Sequence, residues 1–247
     1  MRRFFSIIIL VATALTALAQ ERRVQNKPYI DLRPLHFGIS IGLNMQDVEM
    51  TNVGPRLVEL PEVGETEQLV LCDADMWNPG FSVGVVGDMR LSQHLSLRVT
   101  PSMYFGAKHL TFRNFKELND AGKPSEQTQD MKNTYIALPV GLKFAAERFN
   151  NYRPYLVGGV NAMINLSGKD QDFIQLKRYD VMAELGFGCD FYLPFFKLIP
   201  ELKFCYGLTD ALNKGHATEL SDLNKRIYTE SVSKARTKMI LLTIYFE

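Results

Sequence analysis

The sequence predicts an all-β protein, a transmembrane antiparallel up-and-down β-barrel of about eight strands. Three observations carry this. Between Leu35 and Glu247 the chain repeats, about eight times, a run of roughly ten to fourteen residues that alternates bulky apolar with small or polar side chains. The connections alternate between short and long. An export signal stands in front: Arg2 and Arg3, an apolar run from Phe4 to Leu18, and the small-x-small site Ala17-Leu18-Ala19. The expected organisation is a signal peptide at 1–19, a periplasmic arm at 20–34 and an outer-membrane barrel at 35–247.

The first strand is expected over Leu35 to Asn44, with Phe37, Ile39, Ile41 and Leu43 on one face and Gly38, Ser40, Gly42 and Asn44 on the other. In a soluble barrel the bulky face would turn inward. Here the opposite face carries glycine and charge, so the bulky face is assigned to lipid. Met76 to Asp88 follows with Phe81, Val83 and Val85 outward. His94 to Gly106 alternates most cleanly, with Leu95, Leu97, Val99, Met103 and Phe105 against Ser96, Arg98, Thr100, Ser102 and Tyr104.

Thr134 to Ala145 continues the series, with Pro139 expected to mark a bulge because proline lacks the ladder donor. Pro101 and Pro200 raise the same expectation. Tyr152 to Asn165 has the weakest register, around Gly158-Gly159. The last three strands are Tyr179 to Tyr192, Phe196 to Thr209 and Arg236 to Glu247, the last ending on Tyr245 and Phe246. Short turns at 89–93, 147–151 and 193–195 fall to the periplasm when counted from a periplasmic N-terminus. Long polar loops at 45–75, 107–133, 166–178 and 210–235 then face outward, as barrels of this class require. Trp77, Phe81, Phe105, Tyr135, Tyr179 and Tyr206 are expected at the outer membrane interface, and Tyr152, Phe191, Tyr192, Phe195, Phe196, Tyr245 and Phe246 at the periplasmic one.

Composition limits the function. Of 28 basic residues the signal removes Arg2 and Arg3, leaving 26 against 27 acidic ones. No clustered basic face indicates nucleic acid. Cys72, Cys189 and Cys205 match no metal or redox spacing, and alternation puts Cys189 toward lipid and Cys205 inside, on opposite sides of the wall. His36 and Ser40 share an inward face, while His94, His109 and His216 are scattered. No Ser-His-acid arrangement is forced together, and neither a cofactor nor a metal is expected.

The inward charges form the first candidate site: Asp88, Arg98, Lys143, Glu184, Asp190, Glu201 and Lys203. An eight-stranded barrel of the OmpA/OmpX type is only wide enough for side chains. These charges must therefore pair, giving a plugged barrel instead of a pore. The arm is the second candidate, a periplasmic partner contact through Arg22, Arg23, Lys27, Tyr29, Asp31 and Arg33.

The run Asn26-Lys27-Pro28-Tyr29-Ile30-Asp31-Leu32, followed by Leu35-His36-Phe37-Gly38-Ile39-Ser40-Ile41-Gly42-Leu43-Asn44-Met45-Gln46-Asp47, resembles the PorT family, outer-membrane barrels of the type IX secretion system. The rest of the chain agrees with that family in length, signal, strand count and ending. The resemblance implies a non-enzymatic role in exporting cargo with C-terminal sorting domains, by assembling or stabilising the translocon. Implied partners are other type IX components, the barrel-assembly machinery during biogenesis, and outer-membrane lipid or lipopolysaccharide. The alternative is a surface barrel of the adhesion or defence type that binds proteins through its long loops.

Overall fold

A computed structural model describes residues 25–60, 64–118, 122–167, 173–220 and 225–247. The signal segment and Arg22 and Arg23 of the arm lie outside the described residues. Eight antiparallel staves close into a ring. They are β1 (Leu35–Asn52); β4 (Val70–Met76) running into β5 (Asn78–Arg90); β6 (Leu95–Val99) running into β7 (Ser102–Leu118); β8 (Pro124–Ala145); β9 (Tyr152–Asn165); β10 (Tyr179–Tyr192); β11 (Lys197–Gly207); and β12 (Val232–Phe246). β2 (Arg56–Leu60) and β3 (Gly64–Gln68) form a separate hairpin after β1. The seam is β1 on β12, from Ile39↔Phe246 to Thr51↔Lys234 without a slip. With no free edge in the ring, every ladder donor finds a partner, which a wall facing hydrocarbon requires.

Alternation sets the two faces. Phe37, Ile39, Ile41 and Leu43 on β1, Leu138, Leu142 and Phe144 on β8, and Leu185 and Phe187 on β10 are all exposed, while Ser40, Asn44, Ala137 and Met182 between them are buried. Exposed apolar side chains of this kind circle the ring in one band, the surface a bilayer would cover.

The prolines do not produce bulges. Leu138↔Ala162, Pro139↔Asn161 and Val140↔Val160 keep one register, and Pro200 stays opposite Ile244. At Pro101 the ladder skips a pair between β6 and β7, yet Gly87↔Val99 and Gly84↔Ser102 share the same offset. Each proline costs a donor but inserts no residue, so alternation survives. Gly158 and Gly159 are likewise paired regularly, opposite Leu185 and Glu184. A Cβ on Gly159 would lie 2.3 Å from the Val140 carbonyl oxygen, so that closeness of strands requires glycine.

The long loops differ most from expectation. β1 continues eight residues past Asn44, β7 and β8 extend as a tall hairpin through most of 107–133, and the 45–75 segment holds β2, β3 and β4. One-turn helices His216–Glu219 and Arg226–Thr229 occupy part of 210–235. The reason is a reversal of faces. Above the band the outward residues are polar, as with Glu126, Thr128, Asp130 and Lys132 on β8, while Val48, Val70, Cys72, Leu110, Phe112, Ile174, Leu212 and Ile227 pack inside as one core. Phe112 makes edge contacts with Phe173 and Tyr228 there. A search for apolar residues on the outer face reads such strands as polar loop.

Candidate functional site

The lower lumen is ionic and dense. Arg98 on β6 is 2% exposed. Its Nε and Nη2 donate to Asp88 Oδ1 and Oδ2 at 2.8 and 2.7 Å, and its Nη1 donates to Glu201 Oε2 at 2.6 Å. Lys143 donates to both Asp190 oxygens at 2.7 and 2.8 Å. Lys203 lies 3.2 Å from Glu201 and 3.4 Å from Glu184. All seven inward charges read from the sequence thus sit in one network, placed there by strand parity and held by bidentate geometry.

Four further members escaped the sequence reading. Lys197 pairs with Glu247 at 2.6 Å, and the phenols of Tyr155 and Tyr245 donate to Glu201 at 2.5 and 2.7 Å. Parity held the signal: with Leu198 and Phe246 outward, Lys197, Tyr245 and Glu247 must point in. Tyr245, Tyr192 and Tyr135, expected in the interface belts, are 1%, 1% and 2% exposed and face the interior. Each falls on an inward position of its strand, so the alternation overrides the aromatic preference for interfaces. A Cβ at Gly188 would lie 2.4 Å from the Tyr155 hydroxyl, so this glycine makes room for the phenol to reach Glu201.

Above the ions, Tyr104, Tyr135, Met163, Met182, Cys205, Met239 and Leu241 fill the middle of the lumen, and the loop-end core lies above them. The ring interior is therefore packed with side chains at successive levels. Cys189, half-buried, and Cys205, buried, are free thiols on opposite faces of the wall.

The short-turn end is covered by the arm. Asn26 N–H donates to Asn151 Oδ1 at 2.8 Å, its side-chain amide donates to the Tyr192 carbonyl at 2.9 Å, and Lys27 Nζ donates to the Phe195 carbonyl at 2.5 Å. A one-turn helix, Ile30–Leu32, follows. The Tyr192 hydroxyl donates to Asp31 at 2.7 Å, and Arg148 and Arg153 lie 3.8 and 3.9 Å from the same carboxylate. Arg148 also stacks over the Tyr192 ring at 3.7 Å and donates to the Asn26 and Lys27 carbonyls. Lys27 and Asp31 are thus spent on the barrel itself, while Tyr29, Leu32 and Arg33 face out.

A cavity of about 40 Å³ remains under the lumen, lined by His36, His94, Asp88, Lys143, Arg153 and Lys197 among others. It brings together two histidines that the sequence separates. His94 Nδ1 is bonded to the Ala145 carbonyl at 2.9 Å, and Ser92 Oγ accepts the backbone N–H groups of His94 and Leu95. Among the described residues no group of three or more His, Cys, Asp or Glu has the arrangement of a metal site.

A closed ring with an apolar outer band and an ionic interior defines a membrane-embedded β-barrel. The family model described as outer membrane protein beta-barrel domain matches residues 18–213, and the chain belongs to that family. Its place is the outer membrane. Similar solved structures include Neisserial surface protein A, at 10% identity and TM-score 0.40 over 86% of this chain and 98% of that one. OprG from Pseudomonas aeruginosa is 12% identical with TM-score 0.44, covering 85% and 93%. Ail of Yersinia pestis, in complex with the heparin analogue sucrose octasulfate, is 12% identical with TM-score 0.36, covering 85% and 96%. No curated protein matches the sequence.

Proposed function

We propose that this chain is a PorT-like, non-enzymatic component of the type IX protein secretion system, needed to export cargo carrying C-terminal sorting domains. It acts by assembling or stabilising the translocon. The observation that carries this reading is the packed interior joined to the resemblance at 26–47: a barrel filled by Arg98, Tyr155, Glu201 and Tyr245 has no room to pass a protein and must work through its surfaces. In this reading the arm, the short turns and the C-terminus are periplasmic and the long loops extracellular. Residues 1–19 are a removed signal. The arm meets other type IX components through Tyr29, Leu32 and Arg33, together with Arg22 and Arg23.

The test is deletion of the gene in its native host, with sorting-domain cargo compared between periplasm and medium. Periplasmic accumulation, reversed by the wild-type gene, is expected; normal export would sink the reading. Complementation by a Tyr29→Ala, Leu32→Ala, Arg33→Glu variant then isolates the arm, since these side chains leave its contacts with the barrel intact. Failure to restore export with normal barrel levels is expected.

A second reading, a surface barrel binding proteins through its loops, is favoured by the folded core above the band. It predicts intact cargo export and loss of binding when the β7–β8 hairpin is shortened.

A further inference from the structure

The short-turn end of the barrel carries more positive charge than it neutralises. The arm and the short turns hold Lys27, Arg33, Arg90, Arg148 and Arg153 against Asp31 and Glu147. Residues 1–24 lie outside the described residues, and with Glu21 against four arginines they add no net negative charge wherever they stand. The remaining segments outside the described residues interrupt connections at the opposite, loop-side end.

Asp31 stands in the middle of this excess. It lines the 40 Å³ cavity together with His36, Arg90, Lys143, Arg153 and Asp190. His36, Lys143 and Asp190 occupy inward positions of their strands, so the cavity lies inside the ring and away from the lipid-facing edge. Yet the carboxylate of Asp31 is poorly served there. Among the described residues its one hydrogen bond comes from the Tyr192 hydroxyl at 2.7 Å, and the Arg148 and Arg153 guanidiniums stop 3.8 and 3.9 Å away, beyond hydrogen-bond reach. Arg148 directs Nη1 and Nη2 to the Lys27 and Asn26 carbonyls instead, and Arg90 donates to the Leu32 and Ser92 carbonyls at 3.3 Å each.

The arm has no apolar anchor. None of Ile30–Leu32 is buried, and Tyr29 and Leu32 are exposed, so polar contacts alone hold it over the mouth. Another polar ligand can replace such contacts, because each is worth little net of water. What lies beneath is built for a carboxylate. Arg148 stacks over the ring of Tyr192, which fixes the plane of its fork, and Tyr192 is 1% exposed. With the arm lifted, both Nη groups and the Tyr192 hydroxyl can donate to one carboxylate, and a charged acceptor bonds a guanidinium roughly twice as strongly as a carbonyl does. A phospholipid headgroup cannot take this place, since its chains would have to leave the outside of the wall.

We propose that the mouth is a binding site for a side-chain carboxylate of an acidic protein segment, centred on Arg148, Arg153 and Tyr192. The arm occupies the site until such a segment displaces Asp31. This inference goes beyond the secretion role and holds whichever way the barrel faces.

The full chain in phosphatidylcholine nanodiscs is titrated at low ionic strength with fluorescein-labelled hexaglutamate and with labelled hexaglutamine, read by anisotropy. The wild type is expected to bind hexaglutamate at least tenfold more tightly than hexaglutamine. Asp31→Asn, which weakens the internal competitor, is expected to bind hexaglutamate at least fivefold more tightly than the wild type. Glu147→Gln makes the same charge change on an exposed turn and should stay within twofold of the wild type. The R148Q/R153Q variant, checked for retained heat-modifiable migration, is expected to lose the preference for the acidic peptide. Displacement is read separately: hexaglutamate should speed chymotrypsin cleavage after Tyr29 in the wild type, and hexaglutamine should not. No preference for hexaglutamate, or an equal gain from Glu147→Gln and Asp31→Asn, would overturn the proposal, leaving at most a diffuse cationic surface. Binding with no change in cleavage would overturn the displacement of the arm. Competition by millimolar inorganic phosphate would make the mouth a general anion site and overturn the assignment to a protein carboxylate.

Discussion

The same eight staves run through two regions built on opposite plans. In the band, apolar side chains such as Ile41, Leu142 and Leu185 face out and Arg98, Glu201 and Lys203 face in. Above it, Asp130, Glu126 and Lys238 face out and Leu110, Phe112 and Val48 pack inside. One backbone ladder serves both because hydrogen bonding is indifferent to which face is apolar; the surrounding medium decides. The lower region draws on lipid contact and charge pairing, the upper on burial of apolar surface from water.

Breaking an ion pair should separate the two most sharply. Arg98→Ala strips Asp88 of its bidentate partner, leaving it only Lys143 at 3.8 Å, and takes from Glu201 one of its two cations, a loss of about 3 kcal/mol, at the low end for a broken buried pair, read as a lowered midpoint for urea unfolding in detergent. Phe112→Ala is expected to cost roughly 3 kcal/mol, at the low end for such a truncation because the surrounding segments can collapse. Its effect should be confined to the upper region: faster proteolysis of the β7–β8 hairpin, with the band's heat-modifiable gel shift unchanged. Cleavage spreading equally into the band would show that the regions unfold as one unit.

At the lower end, Tyr192→Phe removes the hydroxyl held by Asp31, worth about 1.5 kcal/mol for a bond to a charged acceptor. Faster chymotrypsin cleavage after the exposed Tyr29, with unchanged barrel stability, is expected. The smallest effect concerns Asp210, above the band. Burial raises its pKa, but the N–H groups of Ala235 and Leu212 and the Lys214 ammonium outweigh it, leaving the carboxyl below its ordinary value. A lowered folded pKa means the contribution is present above the unfolded value, ~3.9, and lost as pH falls through the folded one. Hydrogen-exchange protection factors at Ala235 and Leu212, taken against the intrinsic rate at each pH, should fall over that acidic window, and Asp210→Asn should flatten the response.

The band was legible because its pattern has a period and a sign: Leu95, Leu97 and Val99 against Ser96 and Arg98 leave little choice of face. The ionic lumen followed by the same rule, and it was incomplete at the strand ends, where Lys197, Tyr245 and Glu247 lie, and at Tyr155, on the strand whose register read weakest. The upper region was hidden because reversing both faces gives the composition of a loop, as Gln127-Thr128-Gln129-Asp130 illustrates. The arm's attachment was hidden for another reason. Asp31 meets Tyr192 across 161 positions, and no local pattern encodes such a meeting.

That long reach has a consequence for biogenesis. The arm lies as a chord beneath the mouth, from the start of β1 to the turns after β8 and β10. Those turns lie several staves from β1 around the ring, which the seam between β1 and β12 closes. Seating of the arm is therefore a late step in assembly, and an unseated arm marks a barrel whose ring is still open. A partner that gripped the free arm would meet immature barrels first, and would be released as closure drew Asp31 under Tyr192.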